Sequence, residues 1–251
     1  MEKQAVNLTL PFGLCRNVSF HPEPGECILL AGPNGSGKTT LLNVLAEEGV
    51  VPENCGRPWP HEWEGPAAKR WEGRGAQPRR FSGTIPSSAS LIPTNIPKIK
   101  GFTVEEFVRT GCYKESNWAG KLSADMEKRL ANALGLLGLK ELRTRDISTL
   151  SDGEFQKACI AVGLTRNCSL LMLDEPTAFL DVDGRAMVLA ALKKVAEETR
   201  ICVIFTSHDL HVSLQFCHRV LAFTPDGRFL ESTKSNRKEV LQEAFPGAKI
   251  A

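Results

Sequence analysis

The sequence predicts an α/β fold, a mainly parallel sheet flanked by helices, with a helical segment inserted into it. Three apolar runs of strand length lie at residues 26–31, 169–174 and 201–206, and the last two end in polar residues. The first run leads into a glycine-rich turn and then a helix, which is a strand–loop–helix unit. Residues 98–150, in contrast, carry apolar side chains at helical spacing.

Composition excludes several classes of protein. With 31 basic and 29 acidic residues among 251, the net charge is only +2, so no drive toward nucleic acid is expected. The apolar runs are far shorter than the ~20 residues of a membrane-spanning helix, and residues 1–12 lack a signal-peptide pattern. The eight cysteines contain no C-x-x-C pair and fit small core residues of a reducing compartment.

The turn after the first run has the Gly-x-x-x-x-Gly-Lys-Thr pattern of a phosphate-binding loop. Gly35 and Gly37 allow backbone conformations in which successive N–H groups point at one anion. Lys38 supplies a positive charge for the β- and γ-phosphates, and the Thr39 hydroxyl suits Mg²⁺. Glycine-rich tight turns are common, but the full pattern in this context is specific. The predicted nucleotide-binding residues are Gly32, Pro33, Asn34, Gly35, Ser36, Gly37, Lys38, Thr39 and Thr40.

Polar side chains with catalytic potential end the other two runs. Asp174 and Glu175 close one of them, where a doubly wound sheet would place them beside the nucleotide. Asp174 would hold Mg²⁺ and Glu175 would polarise the attacking water; taken alone, the pair also fits an acidic strand end that caps the next helix. His208 follows the third run, where a γ-phosphate sensor would be useful, although a lone histidine is more often structural.

Residues 149–158 begin another helix, because Ser151 and Glu154 have the Ser-x-x-Glu spacing of a capping box. Leu150-Ser151-Asp152-Gly153-Glu154 resembles the LSGGQ signature of ABC transporter ATP-binding subunits, with Asp at the third position and Glu at the fifth. GPNGSGKTT, LSDGE, LMLDEPT, AFLD and TSHD occur in the order of that family across residues 32–209.

The resemblance implies a P-loop NTPase core with an antiparallel N-terminal β-subdomain and an inserted α-helical lobe. We expect the core at 1–97 and 151–230, the lobe at 98–150 and a C-terminal helix or tail at 231–251. The predicted core strands lie near 5–10, 16–20, 26–31, 169–174, 201–206 and 218–223. In the lobe, capping signals at Thr103 and Ser123 precede helices, and the second helix carries an apolar stripe of Met126, Leu130, Ala133, Leu134 and Leu137.

The resemblance further implies hydrolysis of ATP with Mg²⁺ in a head-to-tail pair of copies. The signature residues Ser151, Gly153 and Glu154 of one copy would cap the γ-phosphate held by the other, while Asp181 links the two sites. Implied partners are transmembrane permease subunits, seated around residues 94–118, and a substrate-binding protein, at the cytoplasmic face of the inner membrane. Residues 102–118 and 150–164 resemble the ATPases of iron-siderophore, haem and cobalamin importers.

Three positions depart from the family pattern. Thr94 stands where the family usually places a glutamine that reaches Mg²⁺ and the attacking water, and is therefore a candidate metal residue, although its hydroxyl is shorter. Phe12 is the candidate that stacks on adenine, in an N-terminal strand pair that looks shortened. Residues 51–80 show neither strand nor helix periodicity; a loop particular to this chain and a reading-frame slip are both compatible with them.

Two other functions remain open from the sequence. One is a soluble ABC-type ATPase that serves as an iron–sulfur assembly scaffold. The other is a subunit that binds ATP but is impaired in hydrolysis by Thr94 and the 51–80 region. The end of the chain, KEVLQEAFPGAKIA, is expected to be a short solvated helix and tail.

Overall fold

The computed structural model describes residues 6–8, 10, 18–48, 89–115, 122–233 and 235–247. Phe12 and the irregular stretch 51–80 lie outside these residues. The chain forms, in order, β1 (Val6–Leu8), β2 (Val18–Phe20), β3 (Cys27–Ala31), α1 (Lys38–Glu48), β4 (Ala89–Ile92), α2 (Val104–Arg109), α3 (Ala124–Leu136), α4 (Asp152–Thr165), β5 (Leu170–Leu173), α5 (Val182–Thr199), β6 (Cys202–Thr206), α6 (Leu210–Phe216), β7 (Arg219–Phe223), β8 (Phe229–Glu231) and α7 (Arg237–Ala244).

The main sheet of the described residues has six strands in the order β4-β5-β6-β3-β7-β8. Its first five strands run parallel, and only β8 is antiparallel to its neighbour β7. β1 and β2 form a separate antiparallel pair. The predicted mainly parallel sheet and the antiparallel N-terminal strands are therefore confirmed, and the carboxyl ends of β3 to β7 lie at one edge.

Helices cover both faces of the sheet, which explains why its central strands are apolar at every position except Thr206 at the end of β6. Leu29 and Ala31 of β3 face a core shared with α4 and α5, whereas Ile28 and Leu30 face the opposite core. On that second face, the strands pack against three leucines of α1 and against residues of the N-terminal strands, namely Leu41, Leu42, Leu45, Leu10, Val18 and Phe20.

The helices between β4 and α4 form the expected lobe. The hydroxyls of Thr103 and Ser123 accept the backbone N–H groups of Glu106 and Met126 and so cap α2 and α3. The predicted stripe on α3 and just beyond it is buried throughout. Short 3₁₀ helices lie at Thr110–Glu115, Lys140–Leu142 and Ile147–Thr149. α4 packs against both α2 and α3 and also against α5, which joins the lobe to the core.

Three elements differ from the sequence prediction. β4 and β8 were not among the predicted strands, because each is only three or four residues long and takes its place by pairing with β5 or β7. The prediction that the C-terminal helix is solvated is wrong, because Val240, Leu241 and Ala244 of α7 are buried against the core.

Two expectations from composition hold in the part of the chain that is described. No helix there has the length and apolar character needed to cross a bilayer. The six described cysteines are unpaired and buried, as expected of small core residues. Burial raises the pKa of the Cys159 thiol to about 12, so it is inert at neutral pH.

Candidate active site

The strand order brings the sequence-predicted residues to one edge of the sheet. The phosphate loop, residues 32–39, follows β3; Asp174 follows β5; and His208 follows β6, which lies between β5 and β3. Thr94 follows β4 at the far side of β5, where the Asp174 N–H donates to the Ile92 carbonyl at 3.0 Å. Four loops that are distant in sequence thus meet at one edge, which is where ligands bind in open α/β sheets.

The backbone of the phosphate loop has the conformation that its glycines were predicted to permit. Gly35 and Gly37 have φ values of 77° and 104°, in the left-handed region that residues with a Cβ seldom occupy. α1 begins directly at Lys38, so the loop ends at the positive end of a helix. The loop is therefore shaped to receive an anion.

Lys38 and Ser36, at the centre of the phosphate loop, have hydrogen-bonding capacity that the described residues leave unused. Lys38 is 9% exposed, and its Nζ donates to the carbonyls of Gly32 at 2.9 Å and Pro33 at 3.0 Å. Burial lowers the pKa of Lys38, against the opposing effect of the Glu175 and Asp174 carboxylates. The buried Ser36 hydroxyl has no hydrogen-bond partner among the described residues. A phosphate oxygen would satisfy both groups.

A chain of hydrogen bonds joins the phosphate loop to the Asp174 carboxylate and to the backbone of Glu175. Thr39 Oγ1 donates to Asp174 Oδ2 at 2.9 Å, and Thr206 Oγ1 donates to Asp174 Oδ1 at 2.8 Å. The Thr206 oxygen also accepts the Glu175 backbone N–H at 2.7 Å. The hydroxyl of Thr39 and the carboxylate of Asp174 are hard oxygen ligands of the kind that Mg²⁺ prefers, so the donor set fits this cation.

Glu175 and His208 form a close pair at the same edge. His208 Nε2 lies 3.2 Å from Glu175 Oε1, and the Glu175 side chain is only 16% exposed whereas that of His208 is 65% exposed. Burial raises the pKa of Glu175, and the neighbouring His208 partly offsets the rise. Glu175 also has a φ of 50°, an uncommon conformation for a residue with a Cβ. A carboxylate with a raised pKa, held in position by its neighbours, suits a general base.

The signature, residues 150–154, forms the predicted capping box at the start of α4. Ser151 Oγ accepts the Glu154 N–H at 3.2 Å, and Glu154 Oε2 accepts from the Ser151 N–H at 2.9 Å and its hydroxyl at 3.0 Å. These bonds, led by the backbone bond from Ser151, lower the pKa of Glu154. Gly153 lies close to α5, since a Cβ there would be 2.7 Å from the terminal methyl of the flexible Met187 side chain.

The remaining predicted residues lie as follows. Asp181 caps α5, since its Oδ1 accepts the Gly184 N–H at 2.8 Å. Thr94 is half-buried beyond β4, but in the described structure the Asp174 oxygens accept from Thr39 and Thr206 and not from Thr94. In the phosphate loop and the first turn of α1, Asn34 is exposed and Thr40 is half-buried.

Sequence reasoning missed two residues that organise this edge. Thr206 bridges Asp174 and Glu175; its one signal is that it closes the apolar run ICVIFT with a hydroxyl. Arg185 on α5 donates from Nε to the Leu180 carbonyl and from Nη1 to Asp209 Oδ2, both at 2.9 Å. Arg185 thereby links the loop before α5 to the loop that contains His208, a contact that no local sequence pattern predicts.

Sequence comparisons agree with this geometry. A profile of the family described as ABC transporter matches residues 15–178. The petrobactin import ATP-binding protein FpuC of Bacillus anthracis is 30% identical over 206 residues, 82% of this chain and 71% of the relative. The high-affinity zinc uptake system ATP-binding protein ZnuC of Bacillus subtilis (strain 168) is 31% identical over 207 residues, 81% of each chain.

Solved structures share the fold. The ADP conformation of MJ1267, an ATP-binding cassette of an ABC transporter, superposes with a TM-score of 0.70 at 19% identity over 99% of this chain and all of the other. CbiO1 from Clostridium perfringens, part of the ABC transporter complex cbiONQ, has a TM-score of 0.70 at 23% identity and coverages of 96% and 92%. With the profile match, the relatives and the nucleotide-binding edge together, the chain belongs to the ABC transporter family, as one of its ATP-binding ATPase subunits.

Proposed function

We propose that two copies of this chain sandwich two Mg-ATP molecules head to tail and use their hydrolysis to import an iron chelate through permease subunits. The observation that carries the proposal is the edge of the sheet where Lys38, Ser36 and the hydrogen-bonded Asp174–Thr206–Glu175 group meet. These groups supply charge, hydrogen-bond donors and a base in the arrangement that phosphoryl transfer to water needs.

The phosphate loop binds the triphosphate. Lys38 turns from the carbonyls of Gly32 and Pro33 to the β- and γ-phosphates, and the Ser36 hydroxyl donates the bond that it lacks in the described structure. Thr39 and Asp174 would hold Mg²⁺, which neutralises part of the triphosphate charge when bound.

Glu175 serves as the general base. Its carboxylate accepts a proton from the attacking water as that oxygen bonds to the γ-phosphorus and ADP departs. Thr206 holds the Glu175 backbone, and the exposed His208 ring, next to the Glu175 carboxylate, contacts the γ-phosphate. Glu175 thus orients the water and His208 stabilises the phosphoryl group.

A second copy completes the site with its signature. Ser151 and Asp152 are exposed at the first turn of α4, where backbone N–H groups and the helix dipole favour an anion. Exposed apolar side chains lie on neighbouring elements: Phe179 is 80% exposed, Val182 69% and Met187, which packs on Gly153, 41%. An apolar surface beside an anion-receptive helix end supports a protein partner at this face.

The lobe offers a second exposed apolar surface for the permease. Ile99, Phe102 and Tyr113 are 51%, 39% and 80% exposed, within the segment expected to seat a membrane partner. We place the chain at the cytoplasmic face of the inner membrane, with a substrate-binding protein on the other side. FpuC is named for petrobactin import and ZnuC for zinc uptake; the subtype resemblance favours an iron chelate over zinc.

Transport assays test this proposal. The chain is co-expressed with candidate permease subunits, purified with them and reconstituted in vesicles that enclose ATP regeneration. We expect uptake of radiolabelled ferric siderophore that the Glu175→Gln complex does not support. Uptake of radiolabelled zinc without uptake of ferric chelates would show that the cargo assignment is wrong while leaving the ATPase intact.

Thr94 favours one alternative, a subunit that binds ATP but hydrolyses it slowly. Glutamine at this position would extend a long side-chain carbonyl toward the metal and water from β4, whereas the hydroxyl of threonine has a shorter reach. Steady-state phosphate release by the purified complex decides between the two. Thr94→Gln should change hydrolysis or its coupling to uptake; unaltered rates for both would remove Thr94 from the site.

A further inference from the structure

Lys98 lies in the segment that leads from β4 to the lobe, and its side chain reaches the signature at the start of α4. Its Nζ donates to the Leu150 carbonyl at 2.8 Å and to Asp152 Oδ1 at 2.7 Å. It also lies 5.5 Å from the centroid of the Phe155 ring, within the range of a cation–π contact. The described contacts of this ammonium group are thus with the first turn of α4 and with Leu150, two residues before the helix begins.

The first turn of α4 carries an electrostatic conflict. In the signature pattern LSGGQ the third and fifth positions are uncharged, whereas this chain has Asp152 and Glu154 there. Glu154 is turned back onto Ser151, and the hydrogen bonds from Ser151 lower its pKa, so it is ionised at neutral pH. Two carboxylates would repel the phosphate that the helix end otherwise attracts.

We propose that Lys98 is a positioning residue for the nucleotide bound by the opposing copy. It neutralises Asp152 and holds the Leu150 carbonyl, so that the first turn of α4 accepts the γ-phosphate of the ATP in the second copy's phosphate loop. This role rests on the proposed head-to-tail dimer. Lys98 also follows Thr94 by four residues, so it connects the segment after β4 in one site to the signature of the other.

The partial exposure of the Lys98–Asp152 ion pair favours a role in nucleotide binding over a role in folding stability alone. The Lys98 side chain is 26% exposed and that of Asp152 is 66% exposed. Ion pairs in contact with solvent contribute little to folding because water screens them. Bringing a triphosphate against this surface removes that water, so the loss of Lys98 is expected to affect ATP-driven association far more than stability.

The experiment uses the full chain with Glu175→Gln, which prevents turnover, and measures the Mg-ATP concentration at half-maximal dimerisation by sedimentation. Lys98→Met should raise this concentration about tenfold, since it leaves Asp152 unpaired against a phosphate. Lys98→Arg should keep it near the starting value. Lys98→Met with Asp152→Asn should recover most of the loss, because the repelling charge is gone. Lys128→Met, at an exposed lysine on α3, is the matched charge control.

Binding of a fluorescent ATP analogue to the monomer, through its own phosphate loop, should be the same in all of these variants. Equal dimerisation of the Lys98→Met and starting proteins would overturn the role of Lys98 and leave the dimer standing. Failure of Asp152→Asn to rescue Lys98→Met would also overturn it, since the loss would then not come from the uncompensated Asp152 carboxylate. A Glu175→Gln chain that stays monomeric at saturating Mg-ATP would overturn the dimer itself, before Lys98 is altered.

Discussion

The phosphate loop and the signature both present a helix start to an anion, but the protein satisfies them to different degrees. In the loop, the Ser36 hydroxyl lacks a described partner and Lys38 is bonded only to loop carbonyls. In the signature, Ser151 and Glu154 bond to each other and Asp152 pairs with Lys98. The difference indicates that the loop keeps hydrogen-bonding capacity for an anion, whereas the polar side chains of the signature already bond to one another and to Lys98. In the proposed dimer, the signature therefore needs no rearrangement before a second copy binds.

The largest expected effect comes from replacing Glu175, the proposed general base beside the phosphate loop. Glu175→Gln removes the proton acceptor while leaving Lys38 and the phosphate loop in place, so ATP should bind normally. Hydrolysis should fall about a thousandfold, measured as phosphate release. A variant that turns over at a near-native rate would refute the assignment of Glu175 as base.

The next effect concerns the Thr206 hydroxyl, which joins the Asp174 carboxylate to the Glu175 backbone N–H. Thr206→Val keeps the shape but leaves the Glu175 N–H and one Asp174 oxygen without this partner. We expect kcat to fall about tenfold or more, with KM for ATP little changed, and the free energy of unfolding to drop by about 1–3 kcal/mol. Thr206→Ser, which retains the hydroxyl, is the control; equal losses in both variants would point to packing instead.

A smaller effect on dimerisation is expected when the charge of Glu154 in the signature is removed. Glu154→Gln preserves the capping box, which accepts either residue at this position, but removes a negative charge next to the anion site. In the Glu175→Gln background, the Mg-ATP concentration for half-maximal dimerisation should fall about threefold. Glu154→Ala removes the box as well and should lower the free energy of unfolding by about 1 kcal/mol. Weaker dimerisation of Glu154→Gln would contradict the electrostatic account.

The smallest effect is a pH dependence of stability. The folded pKa of Glu175 lies above its unfolded value, chiefly through burial, so its ionised form costs stability above the folded pKa. That cost disappears as the pH falls through the folded pKa. Glu175→Gln should therefore be more stable than wild type by less than about 1 kcal/mol near pH 8, after solvent screening, and lose this advantage below about pH 4. Urea unfolding at both pH values measures the difference; an advantage that persists in acid would exclude ionisation as its cause.

Local patterns were sufficient for much of the fold. The strands whose two faces are both covered were predicted from continuous apolar runs, and the lobe helices from Thr103, Ser123 and the stripe that begins at Met126. The short strands β4 and β8 escaped prediction because they carry little pattern and depend on pairing with β5 and β7. The buried face of α7 was missed for the same reason, since its burial depends on the core beside it.

The sequence by itself determined which groups could bind phosphate and move a proton, because the spacing of Gly35, Gly37 and Lys38 and the residue types at Asp174 and Glu175 are local properties. Only the tertiary structure decided how these groups meet. Strand order places β6 between β5 and β3, and so brings Thr206 to the Asp174 carboxylate and the Glu175 backbone, and His208 beside the Glu175 side chain. It also brings Lys98 across 52 residues of sequence to the Leu150 carbonyl. Such contacts depend on the packing of distant segments, which local periodicity does not encode.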